Sequence, residues 1–327
     1  MNLVHPREAL FQGQIPINLP VCDHYCGTEP RMKKALIVQA ELGPVFDITF
    51  DCEDGAPIGG ELAHANLVST LINSPENKFN RVGVRVHEPL SPYFLDDLNT
   101  IISTSGKRLA FITIPKIQSS NQVRVLIDQI NSISDLHHIS KKIPIHVLIE
   151  THDALFDVFN IAGLAQVECL SFGLMDFVSA HNGAIPASAM SDDQFKHPLI
   201  TRAMLEISAA CHAHGKIPSH NVCTNIQDNE VIKNDSLIAK NLFGYTRKWS
   251  IHPNQINPIV NAFSPSEELI EQSLAILRNA ANVNWGPIKY EGKLHDRASY
   301  RFYWMILQTA ANLGRKFPEV DNLKWFN

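Results

Sequence analysis

Short runs of apolar and β-branched residues alternate along the chain with longer stretches in which apolar residues recur every three or four positions. The first pattern predicts strands and the second predicts amphipathic helices, because side chains repeat every two residues in a strand and about every 3.6 in a helix. The predicted strands are Ile17–Val21, Val45–Asp51, Arg81–Val86, Leu109–Ile114, Ile143–Ile149, Val167–Phe172, Lys216–Val222 and Tyr245–Ile251. The predicted helices cover residues 30–42, 58–72, 92–105, 119–138, 152–163, 197–214, 228–241 and 265–281.

This alternation is typical of parallel βαβ units and therefore of the α/β class. Eight strands, each followed by a helix, favour a closed (β/α)8 TIM barrel over an open doubly wound sheet, which usually has about five to seven strands. The breaker cluster at 284–287 ends the last of these helices, and a further helical pattern runs from about Asp296 to Leu313. We therefore expect a catalytic barrel over residues 1–283 and a C-terminal helical extension, acting as a lid and in oligomerisation, over 284–327.

Composition narrows the functional class. The chain has 28 Lys and Arg against 33 Asp and Glu, and this net charge of -5 argues against a dedicated nucleic-acid-binding protein. No apolar run reaches the roughly 18 residues of a membrane span, and Met1–Pro20 has no apolar signal-peptide core, so we expect a cytoplasmic protein without a membrane partner. The six scattered cysteines predict buried free thiols.

Charged residues follow five consecutive predicted strands, where the βα loops of a barrel build its active site. Buried charges are costly unless they bind a ligand or one another, so this clustering predicts a functional site. The residues are Asp51, Glu53 and Asp54 after the second strand, Arg85 on the third, Lys116 after the fourth, Glu150 after the fifth and Asp176 after the sixth.

Glu150 and Asp176 are candidate metal ligands because adjacent strands would direct both carboxylates towards one point. Two hard oxygen ligands suit Mg²⁺, which fills its remaining positions with water and substrate oxygens. The alternative is a buried ion network in which either carboxylate pairs with Arg85 or Lys116.

Arg85 offers planar donors for a carboxylate or a developing enolate, or else a salt bridge with Glu53 or Asp54. Lys116 is open to two interpretations, a catalytic amine capable of forming a Schiff base and an ion-pair partner. His220, near the end of the seventh strand, could contact a substrate or be a satisfied loop histidine, and the long connection 181–196 is expected to act as a flap.

Six segments in order resemble motifs of the HpcH/HpaI aldolase and citrate lyase beta-subunit superfamily, in particular its citrate-lyase-like and malyl-CoA-lyase-like branch. The resemblance extends over about residues 17–310, although the glycine-rich turn after the second strand and the end of the seventh strand depart from the family pattern. The segments are Phe50–Gly55, Val84–Val86, Ile114–Lys116, Leu148–Thr151, Phe172–Asp176 and Ser250–Gln255.

The resemblance implies a (β/α)8 barrel in which Glu150 and Asp176 hold Mg²⁺, Arg85 stabilises an enolate, and Glu53 and Asp54 support the site. It implies a carbon–carbon lyase that acts on a β-hydroxyacyl-CoA such as malyl-, citramalyl- or citryl-CoA. A CoA-independent 2-oxo acid aldolase and a noncatalytic binding or assembly member of the superfamily remain alternatives.

Arg31, Lys33 and Lys34, at the start of the first helix, are candidate contacts for the phosphates of coenzyme A. Helix-start cations can reach phosphates from the mouth of a barrel, and Lys34 is similar to a lysine of the family. The alternative is that all three belong to a solvated helix face.

Tyr290–Arg297 resembles the lid segment of the family, which implies that Asp296 reaches the active site of a neighbouring subunit and acts in acid/base catalysis. Asp296 also precedes a helical run and could cap that helix. The apolar positions Tyr300, Tyr303, Trp304 and Leu307 have helical spacing and could pack on another subunit or on the chain's own barrel. With the family analogy, they predict a homo-oligomer, either a trimer or a hexamer.

Overall fold

Eight parallel strands close into a barrel in chain order in the computed structural model, which describes residues 4–14 and 16–326. The predicted TIM barrel is therefore confirmed. Its strands are β1 (Cys22–Cys26), β2 (Phe46–Asp51), β3 (Val82–Arg85), β4 (Ile112–Ile114), β5 (Ile145–Ile149), β6 (Val167–Phe172), β7 (Ile217–His220) and β8 (Arg247–Ser250).

Helices follow the strands, and a first short helix precedes them. They are α1 (Pro6–Phe11), α2 (Glu29–Leu42), α3 (Glu61–Asn73), α4 (Phe94–Ser105), α5 (Ser120–Leu136), α6 (His152–Phe156), α7 (Val158–Ala162), α8 (Leu174–Ser179), α9 (Pro198–Ala213), α10 (Asn229–Phe243), α11 (Ile256–Phe263), α12 (Glu267–Asn282) and α13 (Arg297–Asn312). Short 3₁₀ turns occur at Ala187–Met190, Pro253–Gln255 and Pro318–Leu323.

The first strand is Cys22–Cys26, and its predicted position at Ile17–Val21 is wrong. Local hydropathy favours the earlier segment because Cys22–Cys26 contains Asp23 and His24. Both polar side chains are nevertheless buried, and both have partners on neighbouring strands. Thr49 donates a hydrogen bond of 2.8 Å to Asp23, and His24 Nδ1 lies 3.0 Å from Ser250 Oγ.

A buried ion network occupies the barrel interior near the amino ends of the strands. Arg247, at the start of β8, is fully buried and lies 3.0 Å from Asp23 and 2.6 Å from Asp47. Asp23 and Asp47 are each only 1% exposed, and Arg81 approaches Asp47 at 3.5 Å. These charges come from strands that are distant in sequence, so neighbouring residues alone give no sign of the pairing.

The chain folds into two compact units. One is Leu19–Phe263 and contains the barrel, and the other comprises the described parts of Met1–Asn18 and Ser264–Asn327. The helix that directly follows β8 is α11, whereas α12, at the position of the predicted eighth helix, belongs to the second unit. The expected domain boundary after residue 283 therefore lies inside this second unit.

The second unit has its own apolar core, in which α1 and α12 pack against α13. Tyr300, Trp304 and Leu307 are each no more than 1% exposed within this core. For these three residues the helical spacing reflects packing inside the unit, so their interpretation as a contact with another subunit is wrong, whereas Tyr303 is only partly buried.

Two further expectations concern membrane-spanning segments and the state of the cysteines. No helix in the described residues is long and apolar enough to cross a membrane. All six cysteines are buried free thiols, as their scattered positions predict.

Candidate active site

A cavity of about 310 Å³ lies at the carboxyl ends of the barrel strands, where the sequence predicts the site. Its apolar part includes Tyr25 on β1 and Trp249 on β8, whose rings stack with centroids 4.0 Å apart. The predicted site residues that line it are Arg31, Asp51, Asp54, Arg85, Glu150 and Asp176.

Arg85 is held by a bidentate pair with Asp51, the last residue of β2. Its Nε donates to Asp51 Oδ1 at 2.8 Å and its Nη2 donates to Oδ2 at 2.5 Å. The backbone N–H of Gly55 donates to the same Oδ2 at 2.9 Å, and a Cβ atom at position 55 would collide with that oxygen. The turn therefore requires glycine here, and Asp51 fixes the plane of the guanidinium group.

The remaining donors of Arg85 determine what it can bind. Its Nη1 lies 2.9 Å from Glu53 Oε2, so three of its five N–H groups have carboxylate partners. Burial opposes the charged form of Arg85, but the charge and hydrogen bonds of Asp51 together with the charge of Glu53 outweigh burial and raise the pKa of the guanidinium. A permanent cation with two further N–H donors thus borders the cavity.

Lys116 serves as an ion-pair partner. Its Nζ lies 2.6 Å from Glu53 Oε1 and 3.5 Å from Asp54 Oδ1. Although burial favours the neutral amine, the hydrogen bond and charge of Glu53 raise the pKa of Lys116. This direction is opposite to the one that a Schiff-base lysine requires, so the structure favours the ion-pair interpretation.

The backbone of Lys116 also contributes to the site. Its φ of 52° lies in the left-handed region, which is uncommon for a residue with a side chain. Its N–H donates to Glu150 Oε1 at 2.6 Å. The strained backbone is therefore used to orient the Glu150 carboxylate.

Glu150 and Asp176 form the acidic end of the cavity. Glu150 is 3% exposed, and burial together with the charge of Asp176 raises the pKa of Glu150 to about 8. Neither carboxylate forms a salt bridge within the part of the chain that the structure describes, so the predicted alternative of an ion network with Arg85 or Lys116 is not formed. A Cβ atom at Gly173 would collide with Glu150, and glycine is therefore required where α8 begins.

The donor set fits a divalent cation. Two carboxylates that repel one another and have no basic partner are the ligands that Mg²⁺ uses in proteins, with water and substrate completing its octahedron. Over residues 4–14 and 16–326, no group of three or more His, Cys, Asp or Glu residues is arranged to hold a metal. With all of them ionised, the five carboxylates and three basic side chains at the site would leave an excess of two negative charges, which one divalent cation would neutralise. They are Asp51, Glu53, Asp54, Glu150 and Asp176 against Arg31, Arg85 and Lys116.

A second cavity of about 530 Å³ adjoins the first. Tyr25 and Arg31 line both cavities, and Lys34 lines the second. Arg31 and Lys34 therefore lie side by side along one groove that leads to the carboxylates, whereas the third candidate, Lys33, lines neither cavity.

His220 is fully buried and does not line the first cavity, which contains the carboxylates. Lys248 Nζ donates to its Nδ1 at 2.8 Å and to the carbonyl oxygen of Asn221 at 2.7 Å, while the ring of Phe195 stacks on His220. The structure favours neither interpretation in full. His220 lies apart from the cavity, which Asn221 borders instead, but its buried Nε2 has no hydrogen-bond partner within the described residues.

Lys248 should give folding stability a distinct pH dependence. Burial lowers the pKa of Lys248 from 10.5 to about 8, and the charge of Asp235 opposes this shift only in part. Between pH 8 and 10.5 the unfolded chain binds the proton and the folded chain does not, so stability relative to Lys248→Met should rise with pH by up to about 1.4 kcal/mol per unit. The other titratable groups that act on this amine are His220, Asp235, Cys223 and Cys22.

Urea unfolding of wild type and Lys248→Met at pH 7.5, 8.5 and 9.5 would measure this difference, because the other groups titrate in both proteins. Parallel stability profiles for the two proteins would contradict the prediction.

Asp296 lies outside the barrel unit, as the N-cap of α13. Its Oδ1 accepts a hydrogen bond of 2.9 Å from the backbone of Ala298, and Ser299 Oγ accepts one of 3.2 Å from the backbone of Asp296. The predicted cap is therefore present, and Asp296 itself is exposed.

Sequence reasoning misses two groups that border the cavity, and it misses the role of a third. In the sequence, Asp51 is only one of several charges, and nothing marks it as the residue that orients Arg85. Tyr25 is hidden because the predicted first strand ends before it, and Asn221 because the neighbouring histidine is the more obvious candidate. The correct position of β1 in the sequence would have pointed to Tyr25, but no local signal marks Asn221.

Comparisons with known proteins agree with this geometry. The sequence profile of the HpcH/HpaI aldolase/citrate lyase family matches residues 31–253. The L-malyl-CoA/beta-methylmalyl-CoA lyase of Rhodobacter capsulatus is 26% identical over 296 residues, which cover 86% of this chain and 92% of the relative. The malyl-CoA/beta-methylmalyl-CoA/citramalyl-CoA lyase of Chloroflexus aurantiacus is 25% identical over 309 residues, with 89% and 88% covered.

Solved structures give the same result. A citrate lyase from Burkholderia xenovorans LB400 is 48% identical, with a TM-score of 0.84 and 99% of each chain covered. The protein CitE from Mycobacterium tuberculosis, in complex with magnesium, acetoacetate and coenzyme A, shares the fold at 18% identity and a TM-score of 0.66, with 91% of this chain and 99% of CitE covered.

The closed barrel, its charged cavity and these relatives together define a carbon–carbon lyase. The chain belongs to the HpcH/HpaI aldolase/citrate lyase family.

Proposed function

We propose that this protein is a Mg²⁺-dependent lyase that cleaves a β-hydroxyacyl-CoA, such as malyl-, citramalyl- or citryl-CoA, by a retro-Claisen or retro-aldol reaction. The observation that carries the proposal is that Glu150, Asp176 and Arg85 line one cavity. The names of the Rhodobacter and Chloroflexus relatives, both acyl-CoA lyases, support the substrate class.

The bond between the α and β carbons breaks in this reaction. The β-hydroxyl loses its proton and becomes the carbonyl of a 2-oxo acid, while the electron pair passes to the thioester fragment as an enolate, which is then protonated to the acyl-CoA. The two free N–H donors of Arg85 would stabilise the enolate oxygen, and Asp51 keeps them oriented throughout.

Glu150 and Asp176 are the residues that would hold Mg²⁺. The ion, when bound, supplies a Lewis acid that stabilises negative charge on substrate oxygens. Lys116 supports this arrangement through its backbone, which orients Glu150, and through its side chain, which neutralises Glu53.

A substrate panel assayed with Mg²⁺ tests the proposal. We expect cleavage of at least one of malyl-CoA, citramalyl-CoA and citryl-CoA, with release of a 2-oxo acid and an acyl-CoA. Cleavage of free hydroxy-oxo acids alone would instead indicate a CoA-independent aldolase. Failure to cleave any compound while Mg²⁺ is bound would indicate a noncatalytic binding protein.

The groove residues Arg31 and Lys34 provide a test of coenzyme A binding. Arg31→Gln and Lys34→Gln should each weaken coenzyme A binding about tenfold, because each removes a charged donor from the second cavity. Isothermal titration calorimetry with coenzyme A would measure the change.

Lys33→Gln is a matched control, since Lys33 lies on the same helix but pairs with Glu29 at 2.6 Å and does not line either cavity. Equal losses in all three variants, or no binding heat for the wild type, would contradict the assignment of this groove.

Asp296 is proposed to act in acid/base catalysis at the site of a neighbouring subunit, in a homo-oligomer that is a trimer or a hexamer. The support is the resemblance of its segment to the family's lid. Asp296→Asn should lower kcat by about 10²- to 10⁴-fold, because a positioned acid or base contributes this much. Folding and Mg²⁺ affinity should change little, since asparagine also caps helices and Asp296 is not a proposed ligand.

Ser299→Ala is the control for the capping role, because it removes the other half of the capping box and leaves the Asp296 carboxylate in place. Mixed oligomers of Asp296→Asn and Glu150→Ala chains, verified by native mass spectrometry, should recover some activity. No recovery in such oligomers would reject action between subunits.

A further inference from the structure

Asn221, directly after β7, has one polar atom without a partner. The residue is 1% exposed and lines the catalytic cavity. Its Oδ1 is buried, and no hydrogen-bond donor reaches it from the described residues. A buried acceptor without a partner destabilises the folded protein, because its lost hydrogen bonds to water are not replaced. This oxygen therefore indicates a donor that comes from a ligand.

The orientation of the Asn221 carboxamide is determined by its other end. Nδ2 donates to the carbonyl oxygen of Val222 at 2.9 Å and to Gln194 Oε1 at 3.0 Å. A backbone carbonyl can only accept, so the atom that faces Val222 must be the nitrogen. The unpartnered atom is therefore the oxygen, which can only accept.

Gln194 holds this orientation from the long connection after β6. It is 1% exposed, and its Nε2 donates to Asp235 Oδ2 on α10 at 3.2 Å. Because its amide nitrogen is used in this bond, its Oε1 is presented to Asn221. The connection 181–196, which the sequence predicts to be a flap, is thus held near its end by the hydrogen bond between buried Gln194 and Asn221, a residue that lines the cavity.

We propose that Asn221 contacts the substrate, its Oδ1 accepting a hydrogen bond from the β-hydroxyl group, and that Gln194 is the residue that positions it. The proposal rests on the proposed function. The carboxylate and carbonyl oxygens of a β-hydroxyacyl thioester are acceptors, and the hydroxyl is the donor at the reacting carbon. Cleavage converts this hydroxyl into a carbonyl, so the contact is made to the substrate and lost in the product.

A pair of ligands that differ only in the hydroxyl tests the contact. These are malyl-CoA as substrate and its deoxy analogue succinyl-CoA as competitive inhibitor, if malyl-CoA is the thioester that the wild type cleaves. Otherwise the cleaved thioester and its own deoxy analogue are used. Asn221→Leu, of similar volume, should lower kcat/KM about tenfold and leave the Ki of the deoxy analogue within twofold of wild type.

Gln194→Leu should also lower kcat/KM and leave the Ki of the deoxy analogue unchanged. Its effect on kcat/KM should be smaller than that of Asn221→Leu, because it releases Asn221 without removing its oxygen. It also keeps the proposal testable if Asn221→Leu does not fold. Lys196→Gln is the matched control, since Lys196 is an exposed residue of the same connection whose ion pair with Asp193 is at the surface, and both constants should stay at wild-type values.

The outcomes separate the two proposals. If the wild type cleaves no acyl-CoA, the proposed function is wrong and this inference falls with it. If the wild type cleaves its substrate but Asn221→Leu changes kcat/KM and Ki equally, or changes neither, the contact with the hydroxyl is rejected while the proposed function stands.

Discussion

Glu150→Gln should abolish cleavage, with kcat/KM reduced at least about 10³-fold, and should eliminate Mg²⁺ binding. The loss of several kcal/mol of charge stabilisation accounts for a reduction of this size. Without Mg²⁺, the variant should unfold at a higher temperature than the wild type, because it removes a 3%-exposed carboxylate beside Asp176. Thermal unfolding with and without Mg²⁺ would measure both effects, since the ion should stabilise only the wild type.

Asp153→Asn is the matched control for Glu150→Gln. Asp153 is an exposed carboxylate three residues further on, in α6, and does not line the catalytic cavity. It should retain wild-type activity and the stabilisation by Mg²⁺. Full activity of Glu150→Gln in the presence of a chelator would overturn the assignment of the metal site.

Arg247→Met should lower the free energy of unfolding by about 3–5 kcal/mol, since it leaves two buried carboxylates without their cation. Asp23 and Asp47 lie 3.0 and 2.6 Å from this guanidinium, and neither is exposed enough to be hydrated. Equilibrium unfolding in urea would measure the loss.

Two variants control for this effect. Arg81→Gln removes a half-exposed partner of Asp47 at 3.5 Å and should cost less than about 1 kcal/mol. Combining Arg247→Met with Asp23→Asn and Asp47→Asn should recover part of the loss, because no buried charge then lacks a partner. A loss below about 1 kcal/mol for Arg247→Met alone would show that the network contributes little to stability.

The sequence alone determined the class of fold and the position of the acidic end of the site. Buried strands and amphipathic helices have different periods, and eight repeats of that alternation predict a barrel. Because every βα loop of a barrel lies at the same end, Glu150, Asp176 and Arg85 can be placed together from their positions in the chain, and all three line the cavity. The six motifs indicated the family, and the match to the family's sequence profile confirmed it.

The tertiary structure decided what depends on partners across the barrel. Strand β1 escapes prediction because Asp23 and His24 look unsuited to a buried strand until Thr49 and Ser250 are brought beside them. Arg247 and Asp47 pair across 200 residues of sequence, so no local pattern could reveal them. The free oxygen of Asn221 is likewise defined only once Gln194 has taken the other end of its amide. Hydrophobic periodicity records which face of an element is buried, whereas the partner of a buried polar group is set by the closure of the barrel.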